Sequence, residues 1–451
     1  MPPDSMSPDS GPLNGLDGVD IITFGCRLNA FESDIIRRAA AEAGLADAVI
    51  VNTCAVTAEA ERQARQAIRR ARREHPGARI IVTGCAATLA PERYAALAEV
   101  DLVLDNDAKL RVESYAPEAP TPALPRMRGR EFTEPVTAQP LPRMRGREGS
   151  AAKPWEGGGY AAATPRARAY LQVQQGCDHR CTFCIIPYAR GPSRSVALAA
   201  IIDEARLLVE GGCKEIVLTG VDLTAYGADL AGAPSLGQMV RRLLAAVPEL
   251  PRLRLSSLDP SEIDEPLWDL LGDEPRLMPH LHFSLQAGDD LILKRMKRRH
   301  TRAQAIAAAR RARALRPAVA LGADLIAGFP TETEAMFQRS LDLVLECGIA
   351  FLHVFPYSAR PGTPAARMPP LDPALVRERA ARLRSAGAAM LDAELNSRIG
   401  SESLVLIERP GVGRAEFYAP VECDTAPPVG SVRRMRFTGC SGRNLVGVPA
   451  A

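Results

Sequence analysis

The sequence predicts an α/β protein with three folded parts: a parallel α/β domain, a partial (β/α)6 barrel and a small antiparallel β-barrel. Short apolar strands alternate with helical stretches over residues 19–114, and the alternation returns over residues 167–398. Residues 399–451 instead contain short strands separated by Gly and Pro. Alternating strands and helices favour parallel sheets, whereas successive short strands favour an antiparallel barrel.

Composition and length limit the class of protein. The 451 residues are enough for two or three domains, and the net charge of +3 permits an RNA partner without requiring one. No run of about 18 apolar residues occurs and the first ten residues are polar and acidic, which predicts a cytoplasmic protein without a membrane span. The ten cysteines are too sparse for a disulfide framework, and six of them form two groups that suit metal binding.

The first domain, residues 19–114, follows 18 residues that lack periodicity and are predicted to be disordered. Its strands and helices are predicted from short apolar runs and the periodic stretches between them. The strands are expected at 19–24, 48–52 and 79–83, and the helices at about 30–43 and 58–74. Asn29 and Thr57 are candidate caps for the two helices.

Each of the three predicted strands ends at a cysteine: Cys26, Cys54 and Cys85. Loops at the carboxyl ends of parallel strands lie together on one edge of the sheet, so these thiols are expected to meet and to hold a metal centre. Structurally inert thiols are the alternative.

The second helix carries a basic face, which we interpret as solvated, with phosphate contact as the alternative. That face consists of Arg62, Arg65, Arg69, Arg70, Arg72 and Arg73.

A proline-rich linker is predicted at residues 115–166, between the first domain and the barrel. An eight-residue segment at 124–131 is repeated at 141–148. We expect this basic repeat to be a tolerated disordered insertion that is dispensable for chemistry, with RNA contact as the alternative.

The barrel is expected to place its catalytic groups at the carboxyl ends of its strands. Six strand–helix units are predicted, with strands at 170–174, 215–219, 252–256, 280–285, 319–326 and 350–355. The polar or small candidates at these ends are Thr219, Gly220, Ser256, Ser257, Gln286, Asp324, Gly328 and Pro330.

Three further cysteines, Cys177, Cys181 and Cys184, follow the first barrel strand. Three thiolates at this spacing can converge on one soft metal centre and leave no fourth cysteine nearby. The pattern indicates a distant fourth ligand or an iron left open. A zinc loop or three buried thiols are the alternatives.

The predicted C-terminal barrel contains strands at 403–407, 414–421, 431–437 and 444–448. Arginines and aromatic residues in it are candidates for phosphate attraction and base stacking, although packing of the barrel would also explain the aromatic residues. They are Arg433, Arg434, Arg436, Phe417, Tyr418 and Phe437.

The spacing Cys-x3-Cys-x2-Cys, with Phe183 directly before the last cysteine, resembles the signature of radical S-adenosylmethionine (SAM) enzymes. The resemblance implies a [4Fe–4S] cluster on Cys177, Cys181 and Cys184, whose open iron chelates the methionine end of SAM. These cysteines would thus be catalytic. The residues that the resemblance places against SAM are Phe183, Thr219, Gly220, Ser257, Gln286 and Asp324.

From residue 20 onward the architecture resembles the methylthiotransferase family, with a second [4Fe–4S] cluster on Cys26, Cys54 and Cys85 and a C-terminal RNA-binding TRAM domain. The motifs at 25–29, 52–57, 184–195 and 355–365 are most similar to the tRNA threonylcarbamoyladenosine branch. The resemblance implies two clusters and SAM as cofactors, a tRNA anticodon stem-loop as partner, a flavodoxin- or ferredoxin-type electron donor, no membrane, and a monomer. It also implies two uses of SAM: one molecule methylates a sulfur, and another yields a radical that removes hydrogen from the target carbon.

Three alternatives remain open: a methylthiotransferase acting on a ribosomal-protein aspartate, one acting on isopentenyladenosine tRNA, and a non-catalytic Fe–S or zinc RNA-binding protein. Arg27 and Arg190 are the first candidates for recognising the threonylcarbamoyl carboxylate. The sequence departs from the family at Thr331, where the family usually has glycine. If that turn needs a positive φ, we expect threonine to be strained by about 1 kcal/mol or more.

Overall fold

The computed structural model describes residues 18–116 and 167–450, and these form two compact units. The first unit contains residues 18–116 together with Gly176–Pro192 and Ser358–Arg367. The second contains the other described residues. The expected disorder of residues 1–17 and the duplicated segment within the linker lie outside the described ranges. Within those ranges, no helix has the length and apolarity needed to cross a membrane.

The first unit is built on a four-stranded parallel sheet with the order β1-β2-β3-β4. The strands are β1 (Val19–Thr23), β2 (Ala48–Thr53), β3 (Arg79–Gly84) and β4 (Leu102–Val103). The helices are α1 (Arg27–Glu42), α2 (Ala58–Glu74), α3 (Cys85–Leu89), α4 (Pro91–Ala95) and α5 (Ile186–Arg190). Every residue of β2 is buried, which agrees with the apolar run at 48–51. The parallel sheet predicted from the sequence is confirmed.

Helix α2 begins and packs as its sequence predicts. The Thr57 hydroxyl accepts a hydrogen bond of 3.1 Å from the Ala60 N–H and caps the helix. Ala64, Ile68 and Ala71 lie on the buried face at helical spacing. Arginines on the other face pair with acidic side chains, as Arg62 does with Glu59 at 2.6 Å. This arrangement agrees with a solvated basic face, except at Arg72, which is partly buried and donates to three backbone carbonyls.

Asn29, in contrast, does not cap α1. The helix begins two residues earlier, at Arg27, and its N-cap residue is Cys26. The Asn29 side chain is buried and donates to the carbonyl oxygens of Phe24, at 2.7 Å, and Thr53, at 3.0 Å. Its role is to tie together the ends of β1 and β2.

The second unit contains a parallel strand series that forms the partial barrel, confirming the predicted fold class. Its strands are β5 (Arg168–Gln172), β6 (Gln174–Gln175), β7 (Arg194–Ser195), β8 (Glu215–Thr219), β9 (Arg252–Leu255), β10 (Ser257–Leu258), β11 (His280–Gln286), β12 (Ala320–Ala327) and β13 (Ile349–Pro356). Its helices are α6 (Leu198–Glu210), α7 (Leu236–Ala246), α8 (Glu265–Asp273), α9 (Asp290–Met296), α10 (Arg302–Leu315), α11 (Glu334–Glu346) and α12 (Pro373–Ser397).

The strand order is β5-β8-β9 and then β10-β11-β12-β13, with Ser256 interrupting the third predicted strand between β9 and β10. Leu281 and Phe283 of β11 pack in the large apolar core with the helices. His280 and His282 alternate with them and lie on the opposite face. Helix α8 starts at Glu265 rather than at 262, because the Asp264 carboxylate accepts from the Leu267 N–H at 3.0 Å.

The C-terminal strands form a closed barrel with the order β14-β15-β16-β18-β17. They are β14 (Glu402–Arg409), β15 (Val412–Ala415), β16 (Pro420–Cys423), β17 (Val432–Ser441) and β18 (Asn444–Pro449). All neighbouring pairs are antiparallel except β16 and β18, which are parallel.

One predicted C-terminal strand is wrong, and the aromatic residues explain why. Residues 414–421 form two strands separated by a turn at Tyr418, whose φ is +80°. Tyr418 is buried and stacks on His280 with ring centroids 4.4 Å apart. Phe417 and Phe437 are also buried and meet edge to face. These three aromatic residues therefore pack the barrel rather than offer rings for base stacking.

Candidate active site

Cys26, Cys54 and Cys85 come together at the carboxyl edge of the first sheet. Cys26 precedes α1, Cys54 directly follows β2, and Cys85 is the first residue of α3. Burial and the nearby thiolate charges of Cys26 and Cys85 raise the pKa of the Cys54 thiol to about 12. Cys54 and Cys85 are buried, whereas Cys26 is exposed. The structure thus assembles the three thiols that the strand-end argument grouped.

Glycines before two of these cysteines permit the close approach. Gly25 and Gly84 have φ values of +100° and +95°, which residues with a Cβ rarely adopt. A Cβ atom on Gly25 would lie 2.8 Å from the Cys54 sulfur, and one on Gly84 would lie 2.3 Å from the Thr53 carbonyl oxygen. Both distances are shorter than van der Waals contact. The close packing around the three cysteines therefore requires glycine at both positions.

A buried set of charges lies beside Cys85. The Arg190 guanidinium forms a fork with the Glu32 carboxylate, with N···O distances of 2.7 and 2.9 Å. Lys109 Nζ donates to Glu32 at 2.6 Å and to Asn106 at 2.8 Å. Burial alone would raise the pKa of Glu32, but the charges of Arg190 and Lys109 lower it to about 2. Glu32 is therefore ionised at neutral pH.

Arg190 is not available as the carboxylate-recognition residue suggested from the sequence. Its Nε–H group donates to the Cys85 sulfur at 3.2 Å, and one terminal nitrogen also donates to Asn29 Oδ1 at 2.7 Å. With the fork to Glu32, all three guanidinium nitrogens are bonded inside the protein. Sequence reasoning missed Glu32 and Lys109, because their sequence separation from Arg190 leaves no local pattern.

The loop that carries Cys177, Cys181 and Cys184 folds back on itself within the first unit. The Cys177 N–H donates to the Gly191 carbonyl at 3.1 Å, and the Cys184 N–H donates to the Cys181 carbonyl at 3.1 Å. Gly176 has a φ of +72°, and a Cβ there would lie 1.9 Å from the Pro192 carbonyl oxygen.

All three cysteines of this loop are partly exposed, and so is Phe183. Ile185 and Ala189, just beyond the last cysteine, pack into the apolar core of the first unit. The loop is therefore anchored at its base while its thiols reach solvent.

In the second unit, Thr219 is the last residue of β8 and Gly220 follows it. Gln174 determines the local shape, because its Oε1 accepts from the N–H groups of Val221 and Asp222 at 2.9 Å each. A Cβ on Gly220 would lie 2.9 Å from the same oxygen. Sequence reasoning missed Gln174, although its position after a barrel strand was a usable signal.

Two other predicted contacts lie at strand ends of the barrel. Ser257 opens β10 and is half-buried, and Gln286 ends β11 with a φ of +68°. The neighbouring Ser256 hydroxyl is buried and, among the described residues, has no hydrogen-bond partner. An unsatisfied buried hydroxyl at this edge fits a site that binds a polar ligand.

Asp324 lies between two histidines on adjacent strands. Its Oδ1 atom is 3.0 Å from His282 Nε2 and 3.2 Å from His353 Nδ1. Burial alone would raise the pKa of Asp324, but its contacts with His282 and His353 hold it well below its usual range. The carboxylate is thus ionised and half-exposed, as an acceptor for ligand O–H or N–H groups would be. The histidines were missed, although strand alternation places both next to Asp324.

The turn after β12 contains Gly328, Pro330 and Thr331. Gly328 and Thr331 have φ values of +75° and +69°. Arg295 donates to the Thr331 hydroxyl at 2.8 Å, which supports the unusual backbone. The Gly328 N–H donates to Glu332 at 3.1 Å. The turn thus has the positive φ on which the expectation of strain at Thr331 depends.

Comparisons with known proteins follow this division of the chain. The radical SAM superfamily matches residues 171–344, and uncharacterized protein family UPF0004 matches residues 18–105. The threonylcarbamoyladenosine tRNA methylthiotransferase MtaB of Rickettsia prowazekii is 45% identical over 93% of this chain and 94% of its own length. This chain belongs to the radical SAM tRNA methylthiotransferase family.

Other relatives place it within the same family. The MtaB protein of Aquifex aeolicus is 35% identical over 80% of this chain and 85% of its own length. The tRNA-2-methylthio-N(6)-dimethylallyladenosine synthase of Cereibacter sphaeroides is 34% identical over 95% of this chain and 97% of its own. The radical SAM methyltransferase TsrM of Kitasatospora setae shares the fold, with a TM-score of 0.54 at 17% identity, covering 78% of this chain and 77% of that one.

The methylthiotransferase uses two [4Fe–4S] clusters and SAM. The six cysteines, all in the first unit, suit such cofactors. A sulfur that accepts a hydrogen bond from a buried guanidinium, as Cys85 does, is in a setting that favours a thiolate ligand. The partly exposed Cys177, Cys181 and Cys184 suit a centre that a second molecule must reach.

Proposed function

We propose that this methylthiotransferase adds a 2-methylthio group to N6-threonylcarbamoyladenosine next to the tRNA anticodon. The observation that carries the proposal is the identity of 45% over 93% of the chain with a relative named for that substrate, against 34% over 95% for one named for dimethylallyladenosine. Both relatives cover nearly the whole chain, so the difference does not come from a shorter match.

The two groups of cysteines are proposed to hold two different clusters. Cys177, Cys181 and Cys184 would hold the cluster that binds SAM, and Cys26, Cys54 and Cys85 would hold the second cluster. When bound, these groups would supply the reductive cleavage of SAM and the sulfur that is transferred. An aromatic C–H bond has no acidic proton, so no side-chain base of the protein can replace this chemistry.

The protein itself would bind and orient the reactants. Thr219, Gly220, Ser257, Gln286 and Asp324 are the proposed SAM contacts of the barrel, and Phe183 is the contact proposed on the cysteine loop. The ionised Asp324 carboxylate can accept hydrogen bonds from hydroxyl or amino groups of the cofactor. His282 and His353 would hold that carboxylate in place.

Recognition of the threonylcarbamoyl carboxylate calls for a cationic or hydrogen-bonding side chain. With Arg190 committed to internal bonds, Arg27 is the remaining candidate next to the cysteines. It is the first residue of α1, directly after Cys26, and is half-buried.

A flavodoxin- or ferredoxin-type protein is proposed as the electron donor, and the enzyme is proposed to act as a monomer.

Two tRNA substrates test the proposed specificity. Anaerobically reconstituted enzyme would be incubated with SAM, reductant and tRNA that carries either threonylcarbamoyladenosine or isopentenyladenosine, followed by nucleoside mass spectrometry. We expect the methylthio product from the first tRNA only. Product from isopentenyladenosine tRNA alone would assign the enzyme to the other tRNA branch and contradict the proposal.

A further inference from the structure

The cysteine loop of the proposed SAM cluster also contributes a side chain to the other cysteine group. Arg190 lies six residues after Cys184 and ends helix α5. Its Nε–H group donates to Cys85 Sγ across 3.2 Å. Both the loop and Cys85 belong to the first unit. A residue of one cysteine loop is thus hydrogen-bonded to a proposed ligand of the other cluster.

Arg190 is held rigidly in this position. Its side chain is 2% exposed, and that of Glu32 is fully buried. The fork to Glu32 and the bond to Asn29 fix the plane of the guanidinium, so its Nε–H group must point at the sulfur. Lysine could keep the charge but has no planar fork that bonds Glu32 and the sulfur together.

The buried charges around Cys85 leave a positive excess. Apart from the thiols, the buried ionisable side chains here are Arg190, Lys109 and Glu32, whose charges sum to +1 when Lys109 is protonated. Asn106 adds a weaker donor, with its Nδ2 atom 3.8 Å from Cys85 Sγ. Hydrogen bonds to cluster sulfurs and nearby positive charge stabilise the reduced, more negative state of an iron–sulfur cluster.

We infer that Arg190 is a positioning residue that orients Cys85 and raises the reduction potential of the cluster held by Cys26, Cys54 and Cys85. This inference rests on the proposed assignment of those cysteines. It makes the two cysteine groups interdependent, because a displacement of the loop that carries Cys177, Cys181 and Cys184 also displaces the donor to Cys85.

The potential of the second cluster can be measured alone in a variant in which Cys177, Cys181 and Cys184 are all replaced by alanine. In this background, Arg190→Gln is compared with unchanged Arg190 by iron analysis and by anaerobic redox titration followed by electron paramagnetic resonance. We expect iron binding to persist and the potential to become more negative. At a fixed solution potential, the ratio of reduced to oxidised cluster should fall at least tenfold, which corresponds to 59 mV for one electron.

Arg72→Gln is the matched control, since Arg72 makes several internal hydrogen bonds in the same unit and none of its partners is a cysteine. It should leave the potential unchanged. If Arg190→Gln does not fold, Arg190→Lys is measured instead and should also lower the potential. An unchanged potential with iron retained would overturn the inference. Absence of iron from the background variant itself would instead refute the assignment of Cys26, Cys54 and Cys85.

Discussion

At the scale of single residues, Thr331 combines a left-handed backbone with a hydrogen bond to its side-chain hydroxyl. Strain was expected at Thr331 if the turn needs a positive φ, and the φ of +69° meets that condition. The hydrogen bond from Arg295 to its hydroxyl was not predictable, since Arg295 lies 36 residues away. Tyr418 also has a positive φ, but no glycine or asparagine marked that turn. A positive φ in a bulky residue could therefore be anticipated from the sequence at Thr331, where the family usually has glycine, but not at Tyr418.

The strain at Thr331 can be separated from the hydrogen bond by two substitutions. Thr331→Ala removes the hydroxyl and keeps the Cβ, whereas Thr331→Gly removes both. We expect the glycine variant to have a free energy of unfolding about 1 kcal/mol higher than the alanine variant, because glycine adopts this backbone without strain. Urea denaturation of the two variants measures the difference. Equal stability would show that the turn relaxes around the Cβ.

At the scale of secondary-structure elements, a buried ion-pair cluster of the barrel is hydrogen-bonded to the C-terminal barrel. Glu215 of β8 binds Arg254 at 2.9 and 3.1 Å and Arg252 at 2.9 Å. Arg254 also donates to the Glu416 carbonyl at 3.0 Å. Most strands and helices were predictable from periodicity. The contacts of Glu215 and Arg254 were not, because their partners are distant in sequence and follow no local pattern.

Loss of the Glu215 charge should strongly destabilise the second unit. Glu215→Gln leaves two buried arginines without their carboxylate, and we expect the free energy of unfolding to fall by about 3–5 kcal/mol. Asp269→Asn, which removes an exposed partner of Arg241, should change it by less than about 1 kcal/mol. Denaturant titration compares the two. If both variants change the free energy of unfolding by similarly small amounts, Glu215 contributes no more to stability than an exposed charge.

The same residue gives a pH dependence with a defined sign. Burial would raise the pKa of Glu215, but Arg254 and Arg252 hold it well below its usual range. A lowered pKa in the folded state contributes stability above the unfolded value, about 4.3, and this contribution is lost as the pH falls below that value. The Glu215→Gln variant should therefore lose less stability than the unchanged protein between about pH 5 and 2. An equal loss of stability with falling pH in the two proteins would contradict this.

At the scale of the whole molecule, parallel topology made the first cysteine group predictable. Strand ends of a parallel sheet lie on one edge, and Cys26, Cys54 and Cys85 are grouped there despite their separation in sequence. The buried Glu32–Lys109–Arg190 set was not predictable, since it joins residues up to 158 positions apart. The C-terminal barrel was predicted as well, while its aromatic residues proved to be core.

Exposed arginines of the C-terminal barrel are left as its candidate RNA contacts. Arg433, Arg434 and Arg436 are all exposed on β17. Replacing the three with alanine should weaken tRNA binding and reduce the slope of log affinity against log salt by about 0.7–0.9 for each lost phosphate contact. Filter binding at several salt concentrations measures this. Arg241→Ala, at an exposed site on α7, is the control and should leave the slope unchanged. An unchanged slope in the triple variant would place the RNA contact elsewhere.

If the two cysteine groups perform separable steps, a single variant should abolish one step and leave the other. Cys54→Ala removes a proposed ligand of the second cluster and leaves Cys177, Cys181 and Cys184 intact. With tRNA carrying threonylcarbamoyladenosine, 5′-deoxyadenosine and the methylthio nucleoside are quantified in the same reaction. We expect that 5′-deoxyadenosine is still formed while methylthio transfer is abolished. Full methylthio transfer by Cys54→Ala would contradict it.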